Sequence, residues 1–270
     1  MSPILFQIIS DVHLESSKGY DIFHITPKAP YLALLGDIGV VKERDELTNF
    51  LLRQLTQFRI VFFVPGNHEA YGSDWRHVKE VLDHVVDLAH SMRRKGASIG
   101  QFVPFVRGRY DFDNDDGNKV TVLGCTLFSN VPESNVMQVG LGLNDFYVTK
   151  SWTVADHNKE HLTDLKWLND QVASLQGSGR KIAIFTHHSP TADERANDPR
   201  HAGSKISSGV RTDLSNEKSW TSADVKLWAF GHTHYNCDFV DGYGKRVYTN
   251  QRGYHFAQAE GYDGERVVEV

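Results

Sequence analysis

The sequence predicts a layered α/β protein, and three observations carry that prediction. Apolar runs rich in β-branched and aromatic residues recur along the chain, longer stretches with helical apolar spacing lie between them, and polar clusters sit directly after most of the runs. The runs at 4–9, 31–35, 60–64, 120–127, 181–186 and 225–230 read as buried strands. Helical spacing appears at about 44–57, 74–94 and 154–175. In the second of these Trp75, Val78, Val81 and Leu82 form a core-facing stripe, and in the third Leu162, Leu165 and Leu168 recur every three residues. Shorter strand-like pieces at 237–240, 245–249 and 265–270 are separated by Gly-rich turns such as DGYG, so the later sheet is expected to be partly antiparallel. Residues 189–216 are polar, carry Pro190 and Pro199, and are too long for a simple connection, which marks a loop insertion in what otherwise reads as a single domain over 1–270.

Composition narrows the function classes. With 40% hydrophobic and 23% charged residues the chain is an ordinary globular sequence, neither disordered nor collagen-like. Its 29 basic against 34 acidic residues give a net charge of −5, which argues against a broad grip on nucleic acid or on an anionic membrane. No run approaches the ~18 apolar residues of a membrane span. The first residues lack a charged segment ahead of the apolar run, so no secretory signal is expected. Cys125 and Cys237 form no CxxC pair and read as buried thiols, and the expected location is intracellular, in the cytoplasm. Histidine is the outlier, with 14 against three Met.

The polar clusters carry the chemistry. Asp11-Val12-His13, Gly36-Asp37, Gly66-Asn67-His68-Glu69, His187-His188 and Gly231-His232-Thr233-His234 each follow a predicted strand. In open α/β sheets ligands bind beyond the carboxyl ends of the strands, so remote side chains placed there converge on one pocket. In an extended chain residues i and i+2 project to the same side, which would pair Asp11 with His13 and His232 with His234. The three glycines allow sharp turns and close backbone approach. A single DxH or HxH arises by chance and a polar residue after a strand is commonly a turn former, but five such clusters in one topological position have one simple explanation.

In this order DxH, GD, GNHE, HH and GHTH resemble the signature of the calcineurin-like metallophosphoesterases, over 11–234, with softer likeness in GCTLF (124–128) and NQRGY (250–254). The resemblance implies a four-layer α/β/β/α sandwich of two mixed sheets flanked by helices, carrying two metal ions. It implies one ion held by Asp11, His13, Asp37 and His234, a second held by Asp37, Asn67, His187 and His232, and a metal-bridging hydroxide as the nucleophile. His68 matches the family's catalytic histidine, which contacts the phosphoryl group or protonates the leaving oxygen; the alternative for His68 is a capping or packing role. Two departures stand out. The second acid that often follows the GD pair is missing from GDIGVVKERDE, so its role is unfilled or passes to a later residue, and Glu69 replaces the commoner Asp. Neighbours in an extended segment point to opposite sides, so one of His187 and His188 is the direct ligand. The resemblance selects His187 and leaves His188 supporting it or facing substrate.

A phosphate ester repels nucleophiles because its oxygens are negative. Two divalent cations about 3.5 to 4 Å apart neutralise that charge and acidify a bound water. The mixed carboxylate and imidazole set suits Mn, Fe, Zn, Co or Ni better than Mg or Ca. Arg195, Arg200, His201, Lys205 and Arg211 form either a basic lip over the metals or scattered solvated charges, and Arg252 reaches either phosphate or a structural partner. His24, His77, His84, His90, His157, His161 and His255 lack ligand spacing and read as surface or helix residues. The expected function is hydrolysis of a small-molecule phosphate ester, diesters ahead of monoesters because no clamp for a terminal dianion is evident. The alternatives are a phosphomonoesterase, a protein serine/threonine phosphatase, a nuclease (disfavoured by the acidic charge), and a non-catalytic scaffold, which would be expected to have lost ligands.

Overall fold

A computed structural model describes residues 3–16, 19–113 and 117–270. The apolar runs form two sheets. In the first, β1 (Leu5–Ile9), β2 (Tyr31–Leu35), β3 (Ile60–Val64) and β4 (Gln101–Pro104) are parallel, and β13 (Val267–Glu269) joins antiparallel, in the order β13-β1-β2-β3-β4. The second contains β5 (Gly108–Asp113), β6 (Lys119–Cys125), β7 (Lys181–Thr186), β8 (Val225–Phe230), β9 (Asp238–Val240) and β10 (Arg246–Thr249), in the order β5-β6-β7-β8-β10-β9. Its four inner strands are parallel and its two edges antiparallel, as the Gly-rich tail predicts for β9. A small hairpin of β11 (Gly253–Tyr254) and β12 (Ala257–Gln258) stands apart.

The period of two along each strand sorts the core into layers. Phe6, Ile8, Ala33, Leu35, Phe62 and Val64 meet Val122, Ala183, Phe185, Leu227 and Ala229 between the sheets. The alternate residues Leu32, Leu34, Val61 and Phe63 face outward onto Leu47, Phe50, Leu51, Val78, Val81, Leu82 and Val85 of helices α1 (Arg44–Leu55) and α2 (Trp75–Arg94). On the other side Leu123, Ile182, Ile184 and Trp228 meet Leu168, Val172 and Leu175 of α3 (Val154–Leu175). Each fully buried Phe or Leu contributes ~1.5–3 kcal/mol to holding these layers. The result is the α/β/β/α sandwich. Asp74 caps α2 by accepting from the His77 N–H, and Thr153 with Asp156 forms a capping box on α3, so both helices start where the sequence places them.

Three expectations need correction. First, β4 and β5 are not anticipated: β4 is a short edge strand ending in Pro104, and β5 is an edge strand with mostly charged or half-buried residues, so neither reads as an apolar run. Second, α3 does not bury a leucine stripe. Leu162 is 60% exposed, and the inward face carries His157, His161, Asp164, Leu168, Val172 and Leu175. The reason lies at the end of β6, where Leu127 and Phe128 take left-handed backbone (φ 70 and 49) and leave polar groups that helix side chains satisfy. Asp164 accepts from the Leu127 N–H (2.8 Å), the His161 Nδ1–H donates to the Leu127 carbonyl (2.9 Å), and His157 Nε2 accepts from the Ser129 N–H (2.9 Å). His157 and His161 are therefore buried and not surface residues. Third, 189–216 is not one open loop but carries 3-10 turns at Glu194–Ala196, Pro199–His201 and Lys205–Gly209. Cys125 is buried, whereas Cys237 is only half-buried. Among the described residues no helix is long and apolar enough to cross a membrane.

Burial holds the His157 imidazole neutral and pushes its pKa down to about 3. A histidine whose folded pKa is depressed contributes stability that is intact above its unfolded value of 6.5 and is lost as pH falls toward the folded one. Between pH 6 and pH 4 this one group is expected to cost ~1.4 kcal/mol per pH unit. Denaturant unfolding at several pH values should show a shallower slope for His157→Gln than for the parent protein, and equal slopes would overturn the assignment.

Candidate metal centre

The polar clusters after β1, β2, β3, β7 and β8 all lie at the carboxyl ends of parallel strands, and the two sheets bring those ends together. The pairing of i with i+2 has a different origin from the extended geometry expected. Asp11 (φ 53), His13 (φ 52), Asp37 (φ 53), His232 (φ 70) and His234 (φ 50) all occupy left-handed backbone, so the ends of β1, β2 and β8 curl and turn these side chains inward. The glycines give close approach: a Cβ on Gly36 would lie 2.2 Å from His187 Nδ1, one on Gly66 2.3 Å from Asp37 Oδ1, and one on Gly231 2.7 Å from Asp11 Oδ2.

Two groups of donor atoms result, Asp11 with His13 and His234, and Asp37 with His187 and His232. In the second, the His187 Nδ1–H donates to the Leu35 carbonyl (2.9 Å), which leaves Nε2 with a lone pair. That lone pair faces Asn67 Oδ1 (2.9 Å), His232 Nδ1 (3.1 Å) and Asp37 Oδ1 (3.4 Å). The Asn67 amide is oriented by its Nδ2, which donates to Asp145 Oδ1 (2.9 Å) and to the Tyr71 hydroxyl (3.0 Å). Lone pairs thus converge on one point with no proton between His187 and Asn67, an arrangement that a cation satisfies. In the first group His13 Nε2 lies 3.0 Å from His234 Nε2, which lies 3.4 Å from Asp11 Oδ1, while His13 Nδ1 faces Glu15 at 3.3 Å. A ring nitrogen on a carbonyl or carboxylate and the other nitrogen free is the usual arrangement of a metal-binding histidine.

The electrostatics agree with this fit. Burial pushes the His187 imidazole down to about 4, so it is neutral and able to donate its lone pair at pH 7. Asp37 is driven well above the usual carboxylate range by burial and by the neighbouring Glu69 and Asp11 carboxylates, a destabilised buried charge that a cation would offset. Burial alone would also raise Asp11, but hydrogen bonding and charge from His234 hold it below the usual range.

Two carboxylates organise the centre, Glu69 of the GNHE cluster and Glu15, which the sequence does not single out. Glu69 accepts backbone N–H bonds from Gly66 (2.6 Å), Ile38 (2.8 Å), Asp37 (3.0 Å) and Gly39 (3.4 Å), tying the ends of β2 and β3 together. Glu15 stands beside His68, its Oε1 2.9 Å from His68 Nδ1. Opposed by burial, hydrogen bonds from His13 and His68 hold Glu15 down to about 2. His68 itself stacks on Tyr71, with centroids 4.1 Å apart, and its Nε2 lies 3.9 Å from Asp37 Oδ2.

The sequence leaves His188 either supporting His187 or facing substrate, and it is fully buried, its ring among His232 (4.2 Å), His157 (5.3 Å) and Phe128 (5.6 Å), which favours the supporting place. The Arg252 guanidinium donates to the Val12 carbonyl (3.1 Å) and lies over the Phe23 ring, the structural partner of its two alternatives. Of the expected basic lip, Arg195 and Arg200 pair with their own neighbours Asp193 and Asp198, while His201 and Arg211 line a cavity with His232 and His234.

The calcineurin-like phosphoesterase family model matches residues 4–236. An uncharacterized protein of Acanthamoeba polyphaga mimivirus is 25% identical over 93% of this chain and 91% of its own length. Among solved structures, a phosphopantetheinyl hydrolase of Mycobacterium tuberculosis superposes with a TM-score of 0.71 at 16% identity, covering 98% of this chain and 95% of its own. A dimetal phosphatase of Danio rerio superposes with a TM-score of 0.50 at 16% identity, over 92% and 87%. These similarities at low identity speak for the shared fold, and the family match, joined to the donor clusters at the strand ends, shows that the chain belongs to the calcineurin-like phosphoesterases and is a metal-dependent phosphoesterase.

Proposed function

We propose that the protein hydrolyses phosphodiesters with two divalent cations, one held by Asp11, His13, Asp37 and His234 and the other by Asp37, Asn67, His187 and His232, with Asp37 between them. The observation that carries this reading is the convergence of His187 Nε2, Asn67 Oδ1 and His232 Nδ1 on one point and of His13, His234 and Asp11 on another. When bound, such ions supply positive charge to the phosphoryl oxygens and lower the pKa of water at the site. The protein's own groups do the rest. Glu69 holds the Asp37 backbone, Asp145 and Tyr71 orient Asn67, and Glu15 fixes His68 with Nε2 toward the centre. As water, having given one proton to solvent, bonds through its oxygen to phosphorus, the bond from phosphorus to the leaving oxygen breaks, its electron pair goes to that oxygen and His68 Nε2 delivers the proton.

Diesters are the reading favoured by the engagement of Arg195, Arg200 and Arg252 with Asp193, Asp198 and the Val12 carbonyl, which leaves Arg211, in the cavity with His232 and His234, as the arginine placed to meet a phosphoryl oxygen. The test is to strip the protein with a chelator, reload Mn, Fe, Co, Ni or Zn singly, and assay bis(p-nitrophenyl) phosphate against p-nitrophenyl phosphate. Two equivalents of metal and kcat/KM about tenfold higher for the diester are expected, the size of one charged hydrogen bond missing for a dianion. A higher value for the monoester would reverse the preference, and no hydrolysis with any ion would remove the metal reading.

A further inference from the structure

We propose that the leaving or retained alcohol of the substrate carries a planar heteroaromatic ring of nucleobase size, which stacks on Phe256; this rests on the phosphodiesterase reading above. Three near-parallel rings run outward from the metal centre. Tyr254 stacks on His13, with centroids 4.2 Å apart and planes 21° apart, and Phe256 lies parallel to Tyr254 at 5.8 Å and 9°. Tyr254 also packs on His234 (5.2 Å) and is thereby fixed to the ligands. Phe256 is 79% exposed, the most exposed large apolar side chain among the described residues. An aromatic ring left in water beside an active site, and aligned with rings that reach the ligands, is an unfilled stacking surface.

The platform is built into its place. Tyr254 pairs with Ala257 across the β11-β12 hairpin, so His255 and Phe256 form its two-residue tip. Gly253 has φ +76, and a Cβ there would lie 2.9 Å from the Ala257 carbonyl oxygen, so the turn back toward the centre needs glycine. The hairpin forms one wall of a cavity of about 1000 Å³ that extends from His234 past Tyr254 to Gln258 and Glu260. Gln258 and Glu260 are exposed on the lining of this cavity and offer donors and acceptors to the polar edge of a heterocycle. Across the cavity from the hairpin Asp198 pairs with Arg200 (2.5 Å), so those two charges offset each other. The substrate class is therefore a phosphate ester with a base-bearing alcohol.

The methyl diesters of adenosine 5′-phosphate and of 1-deoxyribose 5-phosphate differ only in the base and share their leaving groups. For the parent protein loaded with metal, kcat/KM is expected to be about tenfold higher for the base-bearing ester, mainly through KM. The ratio should fall to near one in Phe256→Ala and return in Phe256→Trp. A ratio of one in the parent protein, or an unchanged ratio in Phe256→Ala, would overturn the stacking site. Absence of hydrolysis of both esters and of bis(p-nitrophenyl) phosphate would instead overturn the phosphodiesterase reading on which it rests.

Discussion

Asp37→Asn is expected to remove paired metal binding and nearly all hydrolysis while leaving the fold intact. Asp37 is the one carboxylate assigned to both ions, and its charge is the quantity the substitution deletes. Loss of an outer-shell partner alone typically costs about 10 to 100-fold in metal affinity or activity, so loss of a shared direct ligand should exceed that. Asparagine is the informative choice because Asp37 sits in left-handed backbone (φ 53), a region that asparagine tolerates and alanine does not. Its side-chain oxygen can still accept the His68 N–H bond that Asp37 Oδ1 now accepts at 2.9 Å. Elemental analysis should report loss of at least one metal equivalent, and assay of bis(p-nitrophenyl) phosphate should report loss of turnover. A variant that keeps both ions and full turnover would refute the ligand assignment.

His68→Ala is expected to discriminate between leaving groups. A general acid contributes ~10² to 10⁴ in rate where the departing oxygen needs a proton. An alkyl diester should therefore lose activity by that order, whereas a nitrophenyl diester, whose leaving group is stable as an anion, should lose much less. Equal losses would leave His68 as a packing residue on Tyr71, with which it stacks at 4.1 Å. Glu15→Gln should show the same ordering with a smaller loss, since it disturbs the 2.9 Å contact that aims the ring and does not remove the ring. Glu15 also faces His13 at 3.3 Å, so metal content measured on the same sample separates a misplaced acid from a weakened metal site.

The parallel strands and the residues at their ends were legible because both signals are local. Five apolar residues such as IVFFV at β3 are readable as a buried strand, and a histidine pair two residues apart is readable as a ligand pair. What escaped depends on backbone that curls out of the regular pattern. Glu15 reaches His68 across 53 positions only because Asp11 and His13 turn left-handed, and nothing in DVHLE announces that turn. The polar inner face of α3 was invisible for the same reason: His157 and His161 read as surface or helix residues, and Asp164 gives no signal, until the orphaned amides and carbonyl at 127–129 are seen to need them. The stacking of Tyr254 on His13 joins the two ends of the chain, a relation that no periodicity encodes.

The curled strand ends constrain which elements the centre can use. Each left-handed residue other than glycine costs roughly 1–2 kcal/mol, and Asp, Asn and His are the side chains found there most readily. Asp11, His13, Asp37, His232 and His234 would thus be restricted twice, once by the proposed coordination and once by conformation. Cysteine or glutamate could coordinate as well in the abstract, yet neither is favoured at such torsions. A redesign toward thiolate-loving ions would therefore meet a cost in the main chain as well as in the choice of donor atom.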